Sequence, residues 1–212
     1  MLIRRIYDVL FNTFGPQGWW PGDTPLEVAI GAILTQNTAW RNVEKAINNL
    51  KKEGLLDIKR LLSLSLEDLK ELIRPAGFYN QKAQRLKSFL LWLLEKGGCL
   101  TEINESTAEI RRELLKIRGI GKETADSILL YAMDRPVFVV DAYTKRILSR
   151  HNIIEEKADY DIVQAMFVEN LPRSVALYKE YHALLVKLGK DYCKSKNPLC
   201  ETCPLKTVFM SD

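Results

Sequence analysis

The sequence predicts an all-α protein with many short helices. Along nearly the whole chain, apolar residues recur at the spacing of three or four that places them on one face of a helix. Ser and Asp residues precede several of these segments and glycines follow some of them, as is typical of helix starts and ends. Of the 212 residues, 47% are hydrophobic and 27% are charged, which is ordinary for globular domains and argues against a disordered or fibrous chain.

The first half of the chain predicts five helices and two breaks. The breaks, at residues 15–25 and 74–79, contain Gly and Pro, which interrupt helices. Ser65 is followed by acidic residues, so we expect it to cap a helix. The five predicted helices span residues 3–14, 26–35 and 43–50, a segment that begins after Ser65, and residues 81–94.

The second half predicts a helical hairpin and a further helix. Ser106 or Thr107 is expected to cap a helix that runs to about Lys116, and a second helix spans residues 122–133. A short apolar run then leads to Asp141 and a helix of about ten residues. Asp141 therefore stands where a helix N-cap is expected.

Composition and charge exclude several classes of protein. The longest apolar runs are far below the roughly 18 residues that cross a bilayer, and the N-terminal segment lacks the cleavage site of a signal peptide, so we expect a cytoplasmic protein. The formal net charge of +4 permits a polyanionic partner without requiring one. The chain contains only two histidines, His151 and His182. These are too few for a histidine-rich metal site and disfavour most Ser-His-Asp catalytic triads.

The glycines between the two hairpin helices point to an anion site. Gly119 and Gly121 let backbone N–H groups approach another backbone closely, and the start of the second helix carries partial positive charge. Lys122 can reinforce such a site, which suits a phosphodiester. The alternative is an ordinary helix corner with Ile117 and Ile120 in the core.

Two motifs together resemble the helix–hairpin–helix glycosylase superfamily, the endonuclease III group. The first runs from Ile117 to Ala125, and the second is Val139-Val140-Asp141, with the acid twenty residues after Gly121. The resemblance implies an endonuclease III-like fold of two helical domains with a cleft between them. The implied domains are a six-helix barrel over residues 22–132, with the hairpin at about 107–133, and a second helical domain of residues 1–21 and 133–212 with a Cys-rich C-terminal loop.

The resemblance implies a catalytic role for Asp141. Breaking an N-glycosidic bond develops positive charge on the sugar, and a nearby carboxylate stabilises that charge and orients or deprotonates water. The simpler interpretation of Asp141 is a plain helix N-cap. The two roles are compatible, because an N-cap position holds the carboxylate ionised.

One residue departs from the pattern of the group and bears on the reaction type. In the endonuclease III group a lysine nucleophile precedes the Thr-Ala of the second hairpin helix, whereas this chain has Glu123 there and Lys122 one place earlier. A shift of one residue turns a helical side chain by about 100°, so Schiff-base lyase chemistry is not expected. Glu123 is either part of the base pocket or an acid that complements the helix dipole.

Tryptophans and shorter motifs are similar to the 3-methyladenine DNA glycosylase III branch of the superfamily. The similarity implies Trp19, Trp20 and Trp40 as a pocket in which a flipped, cationic purine stacks, although tryptophans could instead cover a joint between domains. The motifs that carry the similarity are residues 19–21, 34–38, 74–83, 119–123 and 140–141.

The same similarity implies which residues contact DNA. Gln36 or Asn37 would fill the gap left by the flipped nucleotide, unless they serve as polar helix caps. Arg74 and Lys82 are candidates for contacts with phosphates. The residues that we expect to contact DNA are Gln36, Asn37, Gly119, Gly121, Lys122 and Thr124.

Three of the four cysteines are clustered near the C-terminus. Cys193, Cys200 and Cys203 match the first three ligands of the [4Fe–4S] loop in the endonuclease III group, but Phe209 stands where the fourth cysteine is expected. A cluster with an outside ligand, a lost cluster, and zinc with a non-cysteine fourth ligand are all compatible with this pattern. Such clustering favours metal or cluster ligation over disulfides.

The sequence therefore predicts a monofunctional DNA glycosylase of base excision repair that removes alkylated purines, 3-methyladenine first, from double-stranded DNA. We expect a monomer that does not bind membranes. One alternative is an endonuclease III-like glycosylase and AP lyase on oxidised pyrimidines, which Glu123 disfavours. The others are a non-catalytic module that binds damaged DNA and a metal-dependent enzyme built on the cysteines.

Overall fold

The computed structural model of the chain describes residues 2–209, and its regular structure in these residues is entirely helical. The predicted all-α class is confirmed. Contacts within the chain define two compact units. Pro21–Arg135 form one unit, and the remaining described residues, 2–20 and 136–209, form the other, which we call the C-terminal unit. The bounds predicted from the sequence are 22 and 132.

Twelve α-helices lie within the described residues, and short 3-10 turns connect some of them. The helices are α1 (Leu2–Phe14), α2 (Pro25–Leu34), α3 (Trp40–Lys52), α4 (Ile58–Ser63), α5 (Leu66–Ile73), α6 (Tyr79–Glu95), α7 (Thr107–Lys116), α8 (Lys122–Ser127), α9 (Ala142–Arg150), α10 (Tyr160–Asn170), α11 (Val175–Asp191) and α12 (Lys206–Phe209).

Local capping explains where several helices begin. The N–H of Asp68 donates to the hydroxyl of Ser65 at 3.1 Å, which fixes the start of α5. Ser106 and Glu109 form a reciprocal capping box at the start of α7, with distances of 2.9 and 3.3 Å between each backbone N–H and the partner side chain. These are the starts that the Ser residues predict.

Two helical segments differ from the predictions. The helix predicted over residues 122–133 is α-helical only to Ser127 and continues as a π-helix over Ile128–Ala132. All five π-helical side chains are buried, so the apolar pattern of this segment does not distinguish a π-helix from an α-helix. Helix α4 was not predicted, and Asp57 caps it by accepting a hydrogen bond from the N–H of Arg60 at 2.9 Å.

The unit Pro21–Arg135 is organised around α2. Residues 27–34 of this helix are all buried, which is why the segment is apolar on every face. Helix α3, in contrast, buries a single stripe, consisting of Val43, Ala46, Ile47 and Leu50. The spacing of that stripe is the helical period from which α3 was predicted.

Aromatic side chains form the core of the C-terminal unit. The rings of Phe138 and Phe167 stack with their centres 3.9 Å apart, and Tyr178 and Tyr181 meet Phe138 edge-on. The hydroxyl of Tyr181 donates to the carbonyl of Ile3 at 2.8 Å, which ties α11 to α1. This core anchors the segment that precedes Asp141.

A buried ion pair holds the two hairpin helices together. Arg111 of α7 donates twice to the carboxylate of Asp126 in α8, at 2.7 and 3.0 Å, and the Asp126 side chain is fully buried. Because a buried charge without its partner is costly, this pair fixes how α8 leaves the turn.

We expect Asp126→Ala to lower the free energy of unfolding by about 3–5 kcal/mol, because it leaves the Arg111 guanidinium without its bidentate partner. Urea titration followed by circular dichroism measures the change. The matched control is Glu71→Ala, which removes an exposed carboxylate that contacts Arg74 at 3.2 Å and should cost much less. Equal losses in the two variants would contradict a structural role for the buried pair.

Candidate active site

Asp141 lies at the end of a buried extended segment and directly before α9. Phe138, Val139 and Val140 of this segment are buried. The side-chain amide of Gln164 donates to the carbonyl of Phe138 at 2.6 Å, which holds the segment against α10. The backbone of Asp141 is extended, as an N-cap residue requires. The sequence thus places the carboxylate on a rigid support.

The two oxygens of the Asp141 carboxylate face different partners. The N–H and the hydroxyl of Thr144 donate to Oδ1 at 2.7 and 2.9 Å, which is the N-cap interaction. Nε2 of His182 lies 3.5 Å from Oδ2. The Asp141 side chain is 11% exposed and that of His182 is 5% exposed. The carboxylate is therefore nearly removed from water.

Burial and hydrogen bonding act in opposite directions on the pKa of Asp141. Desolvation raises the pKa, because it disfavours the charged form, but His182 and the Thr144 hydrogen bonds outweigh it and hold the pKa below its ordinary value of 3.8. The group is therefore ionised above that pH. Its ionised form stabilises the folded state there, and the contribution is lost as the pH falls through the folded-state pKa.

Trp19 and Trp20 form a stack that continues onto His182. The ring centres of Trp19 and Trp20 are 5.4 Å apart, and those of Trp19 and His182 are 5.7 Å apart, with the planes within 20° of parallel in both cases. Both tryptophans are partly exposed. Trp40, the third predicted pocket residue, is the partly exposed first residue of α3 in the other unit.

His182 lies beside Asp141 but is not among the site residues predicted from the sequence. No motif connects it to Asp141, and it lies in α11, far along the chain. The packing of α11 on α9 brings the two together. Gly189 permits this approach, because a Cβ at that position would overlap the ring of Tyr143.

The hairpin between α7 and α8 exposes its glycines. Gly119 has a φ of +88°, a conformation that favours glycine, and the side chain of Arg85 fills the space that a Cβ on Gly119 would need. Gly119 and Gly121 are both exposed, and Gly121 is the N-cap of α8. The backbone of the turn is accessible to a ligand.

Gln36 and Asn37 follow α2 but differ in their surroundings. The Gln36 amide donates to the carbonyl of Gly119 and to the hydroxyl of Thr124, both at 2.9 Å, and accepts from Arg85 at 2.5 Å. Gln36 thus braces the hairpin. Asn37 is exposed and has a φ of +53°, which is tolerated by Asn more readily than by most residues.

Three consecutive predicted site residues form the first turn of α8. Glu123 is exposed and Lys122 is partly exposed, whereas Thr124 is buried. The Thr124 hydroxyl accepts the hydrogen bond from Gln36. Thr124 therefore supports the hairpin from within the unit and does not offer its hydroxyl to solvent.

Lys82 does not take the position expected of a phosphate contact. It is fully buried, and its Nζ donates to the carbonyls of Leu34 and Ala76, both at 2.8 Å. Burial, with a smaller effect of Arg85, lowers the pKa of Lys82 to about 8. The prediction of a surface role for Lys82 is wrong, because tertiary contacts place the amine at the C-terminal end of α2.

Phe78 is an exposed aromatic residue that is not among the site residues predicted from the sequence. It is 59% exposed and has a φ of +48°, an uncommon conformation for a bulky residue. It directly precedes α6 in the break at residues 74–79. The available signal was an apolar residue beside Gly77 in a segment that is not part of a helical stripe.

The cysteine cluster lines a small cavity of about 190 Å³ in the C-terminal unit. Cys193 is buried, Cys200 is exposed and Cys203 is intermediate. Burial, together with the two neighbouring thiols, raises the pKa of Cys203. All three cysteines thus line one cavity, and their joint role as ligands stays a prediction.

Within residues 2–209, the side chains that line the cysteine cavity include no fourth cysteine. Phe209 stacks on His151 with ring centres 3.8 Å apart, and Nη1 of Arg150 lies 3.3 Å from Sγ of Cys193. Among residues 2–209, no group of three or more His, Cys, Asp or Glu side chains is arranged to hold a metal ion. A [4Fe–4S] cluster stays a prediction, and this set of residues does not fit four-thiolate ligation.

The helices of residues 2–209 include none that is long and apolar enough to span a bilayer.

Comparison with known proteins identifies relatives over nearly the full chain. The MJ1434 protein of Methanocaldococcus jannaschii, named as a DNA repair glycosylase, is 53% identical over 213 residues, which cover 99% of this chain and 96% of the relative. Endonuclease III of Thermotoga maritima is 33% identical over 86% of this chain and 81% of its own length. The solved structure of the H. pylori 3-methyladenine DNA glycosylase, bound to 1,N6-ethenoadenine, matches with a TM-score of 0.76 and 30% identity, covering 89% of this chain and 97% of that chain.

Residues 30–173 match the HhH-GPD superfamily of base excision DNA repair proteins, and the chain belongs to this family. It is a DNA glycosylase of the endonuclease III type, an enzyme of base excision repair. The resemblance drawn from the hairpin and the Asp141 motif is therefore confirmed.

Proposed function

We propose that this chain is a monofunctional DNA glycosylase that hydrolyses the N-glycosidic bond of alkylated purines, with 3-methyladenine as the first substrate. The observation that carries the proposal is the row formed by Trp20, Trp19, His182 and Asp141 in the C-terminal unit, which joins stacked aromatic rings to an ionised carboxylate. The H. pylori relative, named as a 3-methyladenine DNA glycosylase, supports this choice of substrate.

Asp141 supplies the charge that the reaction needs. As the bond between sugar and base breaks, the base leaves with the bonding electron pair and positive charge develops on the sugar. The Asp141 carboxylate stabilises that charge and orients or deprotonates the attacking water. An alkylated purine that carries a positive charge leaves as a neutral base, so a second acid to protonate it is not required.

The tryptophans provide stacking surfaces for the flipped base. Aromatic faces attract cations, and a partly exposed stack can receive a cationic purine without large rearrangement. We include Trp19 and Trp20 in the base pocket. Trp40 and Glu123, which belong to the unit Pro21–Arg135, are further candidates for contact with the base, and the negative charge of Glu123 would favour a cationic base. The exposure of Glu123 supports this role.

Double-stranded DNA is the proposed partner, and we propose that the hairpin between α7 and α8 binds its phosphate backbone. The exposed backbone of Gly119 and Gly121 and the charge of Lys122 suit a phosphodiester. Asn37 is better suited than Gln36 to fill the gap left by the flipped nucleotide, because it is exposed and Gln36 already braces the hairpin. Phe78 adds an exposed apolar wedge of the kind that enters between base steps.

The first turn of α8 supports hydrolysis without lyase chemistry. The position of the lysine nucleophile in the endonuclease III group is Glu123 here, and a carboxylate cannot form a Schiff base. Lys122 points about 100° away around the helix. We therefore propose that water, and not an amine of the protein, attacks the sugar.

We expect the wild-type protein to release 3-methyladenine from duplex DNA treated with dimethyl sulfate, and Asp141→Asn to release it roughly 100-fold more slowly or not at all, because the neutral amide cannot stabilise the sugar cation. Chromatography of the freed bases measures both rates. Asp191→Asn, an acid-to-amide change in the same unit, is the matched control. Binding of duplex DNA without base release by the wild type would favour the binding-module alternative.

We expect no covalent adduct when the wild-type protein is mixed with DNA containing an abasic site and reduced with borohydride, because Glu123 cannot form the Schiff base that borohydride traps. Gel electrophoresis detects such adducts. Glu123→Lys restores a lysine at the position used in the endonuclease III group and serves as the comparison. A trapped wild-type adduct would support the AP lyase alternative.

We expect Trp20→Ala to slow release of a cationic base by roughly tenfold or more, because a stacking face is lost, while binding to undamaged duplex changes little. Trp20→Phe, which keeps an aromatic ring, should recover most of the rate. Single-turnover base release and fluorescence anisotropy of labelled undamaged duplex give the two readouts. Equal losses in base release and in undamaged-duplex binding would refute the stacking role.

A further inference from the structure

His182 contacts both parts of the proposed active site. Its Nε2 lies 3.5 Å from Oδ2 of Asp141. The face of its ring stacks on Trp19, with centres 5.7 Å apart and planes 19° apart. The two contacts use different parts of the imidazole, a nitrogen at the ring edge and the π face. One nearly buried side chain therefore joins the carboxylate to the first tryptophan of the stack.

The backbone packing accounts for the direction of this side chain. His182 and Gly189 are about two helical turns apart, so they lie on the same face of α11. At Gly189 that face packs closely on Tyr143, in the first turn of α9. Asp141 is the N-cap of α9, so the close packing also brings His182 to the carboxylate.

Two cationic side chains near this contact have other partners, and Arg146 donates through Nε and Nη2 to the carbonyls of Cys193 and Gly189, at 2.8 and 3.0 Å. Arg146 lies over the ring of Tyr143, 4.9 Å from its centre, and Lys190 lies 5.6 Å from the centre of the Trp19 ring. Burial and the charge of Asp141 raise the pKa of the Tyr143 hydroxyl, so it is neutral at physiological pH. The imidazole places Nε2 at 3.5 Å from Oδ2.

We propose that His182 is a positioning residue that fixes the Asp141 carboxylate and the Trp19 ring relative to one another, through an Nε2–H group directed at Oδ2. Thr144 holds Oδ1, so the two partners together fix the plane of the carboxylate. The consequence for the base rests on the proposed function. The contact with the carboxylate does not, because it exists in the protein without DNA.

Two substitutions separate the two contacts. His182→Phe keeps a ring face for Trp19 but removes the nitrogen. His182→Gln keeps an N–H donor of similar reach but removes the ring. A residue that only fills space would give the same phenotype in both variants. A residue with two distinct contacts should give a different phenotype in each, according to the contact that is lost.

The first experiment is single-turnover release of 3-methyladenine from DNA between pH 5 and pH 8. The methylated base carries its positive charge throughout this range. His182→Phe should raise the pKa of Asp141, because Thr144 alone then opposes the effect of burial. Its rate should fall roughly tenfold for each pH unit below the new pKa. His182→Gln should keep the wild-type pH profile but raise the protein concentration needed for half-maximal release, because Trp19 loses its support.

His151→Phe is the matched control, since His151 is the only other histidine and its ring stacks on Phe209 within the same unit. It should leave the pH profile in place. Thermal unfolding of each variant identifies any loss of folding. The same change of profile in His182→Phe and His182→Gln, or no change in either, would overturn the proposal.

The second experiment needs neither substrate nor a variant at His182. Nitrogen-15 NMR of the wild-type imidazoles should show His182 protonated at Nε2 at neutral pH, and carbon-13 NMR of the carboxyl groups, assigned with Asp141→Asn, should show Asp141 titrating below 3.8. An unprotonated Nε2 would overturn the inference. If the protein releases no base but these NMR signatures hold, the proposed function fails and the inferred contact stands.

Discussion

The close packing of α9 on α11 is the constraint on which the candidate active site depends. Tyr143 occupies the space that any side chain at position 189 would need, so only glycine allows the two helices to approach this closely. Asp141 begins one helix and His182 projects from the other. The contact between them follows from this approach and requires no flexible loop. The carboxylate that we propose as catalytic is thus positioned by the core of its unit.

The same interactions that start α9 also keep its N-cap carboxylate charged. A carboxylate that is nearly removed from water would favour its neutral form if it stood alone. Thr144 and His182 reverse that preference, and the pKa of Asp141 falls below its ordinary value. The structural and the catalytic interpretations of Asp141 therefore describe one set of contacts, which is why an ordinary helix cap can carry the charge that cleavage of a glycosidic bond requires.

The unit Pro21–Arg135 supports an exposed hairpin in a comparable way. The Arg111–Asp126 pair fixes the two helices, and Gln36 and Arg85 brace the turn from inside the unit. The glycines of the turn stay exposed as a result.

The cysteine cluster departs from the pattern of the endonuclease III group. Phe209 stands where the fourth cysteine is expected, and its ring packs on His151. Residues 2–209 therefore contain three of the four thiolates that the cluster of the endonuclease III group uses.

The sequence by itself determined the features that depend on neighbouring residues. Helix starts at Ser65 and Ser106, the Gly119 turn and the N-cap at Asp141 all follow from short-range steric and hydrogen-bonding preferences. Only the tertiary structure decided that His182 meets Asp141, that Lys82 is buried, and that Gln36 braces the hairpin. Each of these contacts joins segments far apart in the chain, and packing sets their distances, so residue spacing carries no record of them.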